Sequence, residues 1–101
     1  MSFFSFFSGG PSLEEGLAHM DSNGVLLDVR TPEEYAGGHL PGAVNVPLDQ
    51  IPSAQLPQGR PLYVYCRSGA RSGQACQWLQ KAGYQAENLG GLMGYRGKLE
   101  R

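Results

Sequence analysis

The chain has 101 residues, enough for one domain with a single hydrophobic core. A hydrophobic content of 41% and a charged content of 17% are ordinary for a soluble globular protein, and the net charge of −1 argues against nucleic acid as a partner. With only two cysteines there is no disulfide framework, and the cysteines and histidines do not follow a zinc-ligand spacing, so we expect neither a metal nor a cofactor.

Residues 1–11 form a Phe-rich segment in front of a domain predicted over residues 12–101. The segment lacks Lys and Arg, shows no cleavage pattern and is too short to span a bilayer. We favour an edge strand or docked arm over contact with a membrane surface or a partner, because no basic residue is present to hold the segment to lipid headgroups. A cytoplasmic location is therefore expected.

A capping box of the form Ser-x-x-Glu starts the first predicted helix at Ser12. Leu13, Leu17 and Met20 mark one face of that helix, and Asn23-Gly24 is expected to stop it.

The next run, residues 25–29, is almost continuously apolar, as expected of a buried parallel strand. A second capping box with Pro at the first helical position begins a short helix at Thr31, and Gly37-Gly38 is expected to end it. Residues 43–46 form a brief predicted strand that Pro47 stops.

Two prolines, Pro52 and Pro57, limit any helix between residues 48 and 60 to a short or broken one. The following strand begins at Pro61 and ends at Cys66, and residues 85–89 form the last short strand. The helix between them is predicted to run to Ala82, with an apolar face made of Ala75, Trp78, Leu79 and Ala82. This β/α alternation predicts a parallel sheet with helices on both faces, whose ligands bind beyond the carboxyl ends of the strands.

Cys66 lies where a strand ends and a helix begins, so backbone N–H groups and the positive end of a helix dipole point towards its sulfur. Arg67 and Arg71 add positive charge suited to an oxyanion. The pattern predicts an acidic thiol that acts as a nucleophile on a small anionic substrate, in preference to an inert buried cysteine.

Other candidate residues have structural explanations that we favour. Cys76 is expected to pack in the core rather than act in redox chemistry, and His39 to anchor a turn rather than catalyse. Asp28 and Arg30 are expected to form an ion pair that fixes a loop, with tuning of the site as the alternative. Arg67 either contacts substrate or points to solvent, and we slightly favour the contact.

Four ordered motifs resemble those of single-domain rhodaneses and together cover about residues 12 to 96. The motifs are residues 27–35, 38–47, 65–72 and 88–91. The resemblance implies an α/β fold with a five-stranded parallel sheet, whose first strand the Phe-rich segment would supply, and thiosulfate sulfurtransferase activity through a persulfide of Cys66. The loop residues assigned to substrate binding are Arg67, Ser68, Gly69, Ala70, Arg71 and Ser72. The expected partners are a small anionic sulfur donor and a thiol or cyanide acceptor. Tyr95 departs from the Trp of many relatives.

Two other classes of function compete with the sulfurtransferase. A phosphatase or arsenate reductase uses a longer cysteine loop, with the arginine six positions after the cysteine, whereas Arg71 is five positions after Cys66. A non-enzymatic interaction module is disfavoured because the cysteine and its loop are intact. A persulfide carrier that serves a protein acceptor stays open.

Overall fold

A computed structural model describes residues 12–101 of the chain. Its helices are α1 (Leu13–Ala18), α2 (Pro32–Ala36), a 3₁₀ helix (Leu48–Ser53) and α3 (Ala70–Lys81). Its strands are β1 (Val25–Asp28), β2 (Val44–Asn45), β3 (Leu62–Cys66) and β4 (Ala86–Gly91). Within residues 12–101 no helix is long and apolar enough to cross a membrane.

The four strands form one parallel sheet in the order β2-β1-β3-β4, which confirms the predicted α/β architecture. One apolar cluster packs α3 and the 3₁₀ helix against one face of the sheet, and a second packs α1 against the other face. The described residues contain four strands and not the five predicted. The segment predicted to supply the missing strand, residues 1–11, lies outside the described residues, so that assignment stays a prediction.

Both predicted capping boxes are present and start their helices where the sequence places them. The Ser12 hydroxyl accepts the N–H of Glu15, and the Thr31 hydroxyl accepts the N–H of Glu34. In each case the glutamate carboxylate accepts the backbone N–H of the capping residue. Helix α2 ends after five residues at Gly37, as predicted.

Helix α1 ends at Ala18, and the expectation that Asn23-Gly24 stops it is wrong. A separate turn occupies the intervening residues, in which Gly24 N–H bonds the Asp21 carbonyl at 2.8 Å. The Tyr63 hydroxyl accepts the Asp21 N–H at 3.0 Å across the domain. This distant contact competes with continuation of the helix, and nothing in the local sequence indicates it.

The buried stripe of α3 differs from the predicted face. Its members are Ser72, Ala75, Cys76 and Leu79, whereas Trp78 is 41% exposed and Ala82 is exposed as well. Ala75 and Leu79 of the predicted face are confirmed, whereas Trp78 and Ala82 are wrong, because the packed face of α3 is rotated towards Ser72 and Cys76.

A buried ion pair stands at the carboxyl end of β1. Arg30 Nη2 lies 2.7 Å from Asp28 Oδ2 and also donates to the Gly38 carbonyl at 2.7 Å. Asp28 is fully buried and Arg30 nearly so. The pair therefore fixes the loop after β1 against the end of α2, as predicted.

Replacing Arg30 by Met should lower the free energy of unfolding by about 3–5 kcal/mol, because it leaves the buried Asp28 carboxylate without its partner. Urea unfolding followed by circular dichroism measures this, with Arg60→Met as the matched control at an exposed arginine. Adding Asp28→Asn to Arg30→Met should recover part of the loss. An Arg30→Met variant as stable as Arg60→Met would contradict the structural role of the pair.

Candidate functional site

Cys66 is the last residue of β3, and its side chain is buried with 0% exposure. The chain turns directly into α3 through Gly69, whose φ of 98° lies in the left-handed region that favours glycine. Gly91 of the neighbouring strand passes so close to the Arg67 carbonyl that any larger side chain would clash with the backbone. Close packing against β4 therefore restrains the conformation of the turn.

Three groups of this turn point at the Cys66 sulfur. The Gly69 N–H donates to Sγ at 3.0 Å, the Ser72 N–H donates at 3.4 Å, and the Ser72 hydroxyl oxygen lies 3.4 Å from Sγ. Burial raises the pKa of the thiol, but hydrogen bonds from the Ser72 hydroxyl and from the backbone of Ser72, Gly69 and Ser68 outweigh it, so the pKa of Cys66 falls below its ordinary value. The site therefore stabilises the buried Cys66 thiolate relative to that of an ordinary cysteine.

Arg71 faces Glu34 rather than open solvent. Its Nη1 lies 2.7 Å from Glu34 Oε1, and its Nη2 lies 3.0 Å from Oε2, a two-point ion pair between α3 and α2. The hydrogen bonds from Arg71 and from the backbone of Thr31 lower the pKa of Glu34 to about 2. The guanidinium still adds positive charge near the sulfur, but a carboxylate shares it.

Arg67 is exposed, and its side chain makes no hydrogen bond or ion pair with any of residues 12–101. It lines an open groove of about 420 Å³ together with Glu34 and the apolar side chains of Met93 and Leu99. These apolar side chains are 61% and 44% exposed. Arg67 is therefore the loop arginine that is available to a ligand.

Cys76 and His39, two other residues considered in the sequence analysis, lie away from the groups that donate hydrogen bonds to the Cys66 sulfur. Cys76 is buried on the inner side of α3, and burial followed by the charge of Glu87 raises its pKa to about 11. His39 Nδ1 lies 2.9 Å from the Tyr35 carbonyl, and its ring stacks on that of Tyr35 at 3.7 Å. Both therefore have the structural surroundings that were expected of them.

Two polar residues at the site were not singled out from the sequence. Glu34 was noticed only as a helix cap, and its pairing with Arg71 joins positions 37 residues apart. Asn88 bonds the Ser72 hydroxyl at 2.7 Å and the Gly69 carbonyl at 3.1 Å. Its place in a motif before Gly90-Gly91 was the available signal, but the contact itself depends on how β4 lies beside the turn.

Comparison with known proteins shows the family to which the chain belongs. Residues 12–98 match the rhodanese-like domain, and the chain belongs to that family. It is 47% identical over 76 residues to a sulfurtransferase of Allochromatium vinosum, a match that covers 72% of this chain and 69% of that protein. It is 42% identical over 71 residues to the thiosulfate sulfurtransferase PspE of Escherichia coli, covering 65% of this chain and 68% of that protein. The solved structure of a rhodanese with anions from E. coli has a TM-score of 0.68 and 35% identity, and the match covers 77% of this chain and 98% of that one.

The two cysteines should ionise at well-separated pH values. Alkylation by iodoacetamide, resolved by peptide mass, should give a midpoint for Cys66 below the value of about 8.5 of a free cysteine, because hydrogen-bond donors stabilise its thiolate. Cys76 is the internal control, and its alkylation should stay slow until the pH approaches about 11. A Cys66 midpoint at or above that of a free cysteine would contradict the role of the donors.

Glu34→Gln should destabilise the protein at neutral pH by about 1 kcal/mol, a modest value because solvent screens this partly exposed pair. The pKa of Glu34 is lower in the folded protein, so its contribution is fully present above pH 4.5 and is lost as the pH falls towards 2. Urea unfolding at pH 7 and pH 3 should therefore show a smaller difference from wild type at pH 3. Glu33→Gln is the matched control, and a difference that does not change with pH would contradict the ion pair.

Proposed function

We propose that this protein is a sulfurtransferase that carries a sulfane sulfur on Cys66, taking it from thiosulfate or a similar donor and passing it to a thiophilic acceptor. Membership of the rhodanese-like family supports transfer of sulfur in general. The observation that carries the proposal is the buried Cys66 sulfur with two backbone N–H donors and a hydroxyl directed at it.

The first half-reaction is attack of the Cys66 thiolate on the outer sulfur of thiosulfate. A new S–S bond forms at Cys66, the S–S bond of thiosulfate breaks, and sulfite leaves with the electron pair. In the second half-reaction a nucleophile, either a thiolate or cyanide, attacks the outer sulfur of the persulfide, and the Cys66 thiolate leaves. The lowered pKa of Cys66 raises the fraction of thiolate, and the step needs no general base when it starts from that thiolate.

Both the reactant and the product of each half-reaction contain anionic sulfur. Fixed donors therefore stabilise the Cys66 persulfide intermediate as well as the thiolate of the resting enzyme. In the proposal the N–H groups of the loop, residues 67–72, form that donor set. Those of Gly69 and Ser72 bond Sγ and that of Ser68 adds to them, whereas the Ala70 N–H bonds the Ser68 hydroxyl oxygen at 3.4 Å. Arg67 receives the anionic donor because its guanidinium has no partner among residues 12–101. Arg71 contributes positive charge through its fixed position against Glu34.

Burial of Cys66 also favours sulfur transfer through a persulfide intermediate. Because Cys66 has 0% exposure, a slender group such as the terminal sulfur of a donor reaches its thiolate most easily. Once loaded, the outer sulfur lies about 2 Å beyond Sγ, the length of an S–S bond, and so comes closer to the surface for the acceptor.

A protein thiol as acceptor is the second candidate. The groove beside Arg67 exposes Met93 and Leu99, two large apolar side chains next to the cysteine turn. Exposed apolar groups that adjoin a reactive site are typical of contact surfaces for other proteins. A phosphatase or arsenate reductase is disfavoured, since the loop from Cys66 to Arg71 spans one position fewer than a phosphate-binding loop requires.

Thiosulfate should add about 32 Da, one sulfur atom, to Cys66 and nothing to Cys76, and a thiol reductant should remove it. Intact and peptide mass spectrometry measure the addition. Cys66→Ser should abolish the label and all thiosulfate:cyanide activity, since serine supplies no thiolate. Cys76→Ser is the matched control and should retain both.

An aryl phosphate assayed in parallel distinguishes the competing enzyme class. Hydrolysis of the phosphate without sulfur transfer would overturn the proposal, as would a label confined to Cys76.

A further inference from the structure

The side chain of Asn88 joins β4 to the cysteine turn in one defined orientation. Its Nδ2 donates to the Gly69 carbonyl at 3.1 Å, and its Oδ1 accepts the Gly90 N–H at 2.9 Å. Because a carbonyl faces one end and an N–H the other, the amide cannot be flipped without losing both bonds. The atom that faces the Ser72 hydroxyl at 2.7 Å is therefore the acceptor Oδ1.

Ser72 has one hydroxyl proton and three acceptors near it: Asn88 Oδ1 at 2.7 Å, and the Cys66 sulfur and the Gly90 carbonyl oxygen, each at 3.4 Å. The short distance to Asn88 Oδ1 indicates that the hydroxyl donates there when Cys66 is a neutral thiol. The Ser72 lone pairs then face the sulfur, 3.4 Å away, and can accept its S–H. Ionisation makes the sulfur a charged and stronger acceptor, and rotation of the hydroxyl turns the proton towards it. Ser72 is fully buried, so water does not replace either bond.

We propose that Asn88 is a positioning residue that competes with the Cys66 sulfur for the single hydroxyl proton of Ser72 and so limits how strongly that hydroxyl stabilises the sulfur anion. The importance of this competition for turnover rests on the proposed persulfide function, since both half-reactions begin or end with anionic sulfur. The competition itself is a property of the thiol and exists without any sulfur donor.

The charged groups around the sulfur act separately from this competition. They are Arg71 of α3 with its partner Glu34 of α2, and the Asp28–Arg30 pair at the end of β1. Within residues 12–101, none of them forms a hydrogen bond with the side chain of Ser72 or Asn88. Asn88 also binds the Gly69 carbonyl, but the Gly69 N–H that contacts Sγ belongs to the preceding peptide, so a change at Asn88 reaches the sulfur through the Ser72 hydroxyl.

The test is the pH dependence of Cys66 alkylation in Asn88→Ala, Ser72→Ala and the double variant. Asn88→Ala should lower the Cys66 pKa by about half a unit, because the hydroxyl loses its nearest competing acceptor and keeps only the more distant Gly90 carbonyl, and a neutral hydrogen bond is worth about that much. Ser72→Ala should raise the pKa, and adding Asn88→Ala to Ser72→Ala should change it no further. Gln80→Ala is the matched control, because Gln80 ties α3 to β4 through the Ala86 carbonyl away from the sulfur, and its Cys66 pKa should equal wild type.

A Cys66 pKa that is unchanged or raised in Asn88→Ala would overturn the proposal, and so would a decrease that persists without the Ser72 hydroxyl. Asn88 belongs to the exposed side of β4, so its truncation opens no core cavity. If Asn88→Ala nevertheless fails to fold, Asn88→Asp replaces it: a carboxylate holds the hydroxyl more strongly and should raise the Cys66 pKa, and a decrease would be contradictory. Alkylation needs no sulfur donor, so this result is independent of whether thiosulfate labels Cys66.

Discussion

A cysteine buried at the end of a central strand ionises only if fixed donors replace the water that it has lost. The Gly69 and Ser72 N–H groups supply that replacement, and the rest of the site holds them in place. The left-handed turn at Gly69 brings the start of α3 over the sulfur, and the close approach of Gly91 supports the turn from β4. Packing of β4 against β3 is therefore as much a part of the chemistry as the cysteine loop.

The charges at this end of the sheet are mostly paired within the protein. Asp28 with Arg30 and Glu34 with Arg71 tie the ends of β1, α2 and α3 to one another. Each ion pair holds the elements it joins in a fixed arrangement. Each also lowers the net positive potential that an incoming anion would meet. Within residues 12–101, Arg67 is the exception in the cysteine loop, and we propose it as the cation that recognises the donor, whereas Arg71 is a constrained cation near the sulfur.

Local patterns in the sequence predicted the helix starts, the parallel sheet implied by β/α alternation and the position of Cys66 at a strand-to-helix turn. These features depend on neighbours in the chain, such as the Thr31 capping box. The end of α1, the exposure of Trp78 and the pairing of Arg71 with Glu34 depend on contacts between distant segments, which local patterns do not contain. Asn88 belongs to the same group, because its hydrogen bonds with Ser72 and Gly69 exist only once β4 lies beside the turn.

The central claim is that backbone N–H groups stabilise an anionic Cys66 sulfur, and the amide protons of Gly69 and Ser72 report on it most directly. NMR spectra recorded across pH should show both resonances moving downfield with one shared midpoint below about 8.5, the pKa of a free cysteine, as the thiolate forms. In Cys66→Ser these movements should disappear. Amide resonances that do not respond to pH, or that respond only at the pKa of an ordinary thiol, would contradict the account.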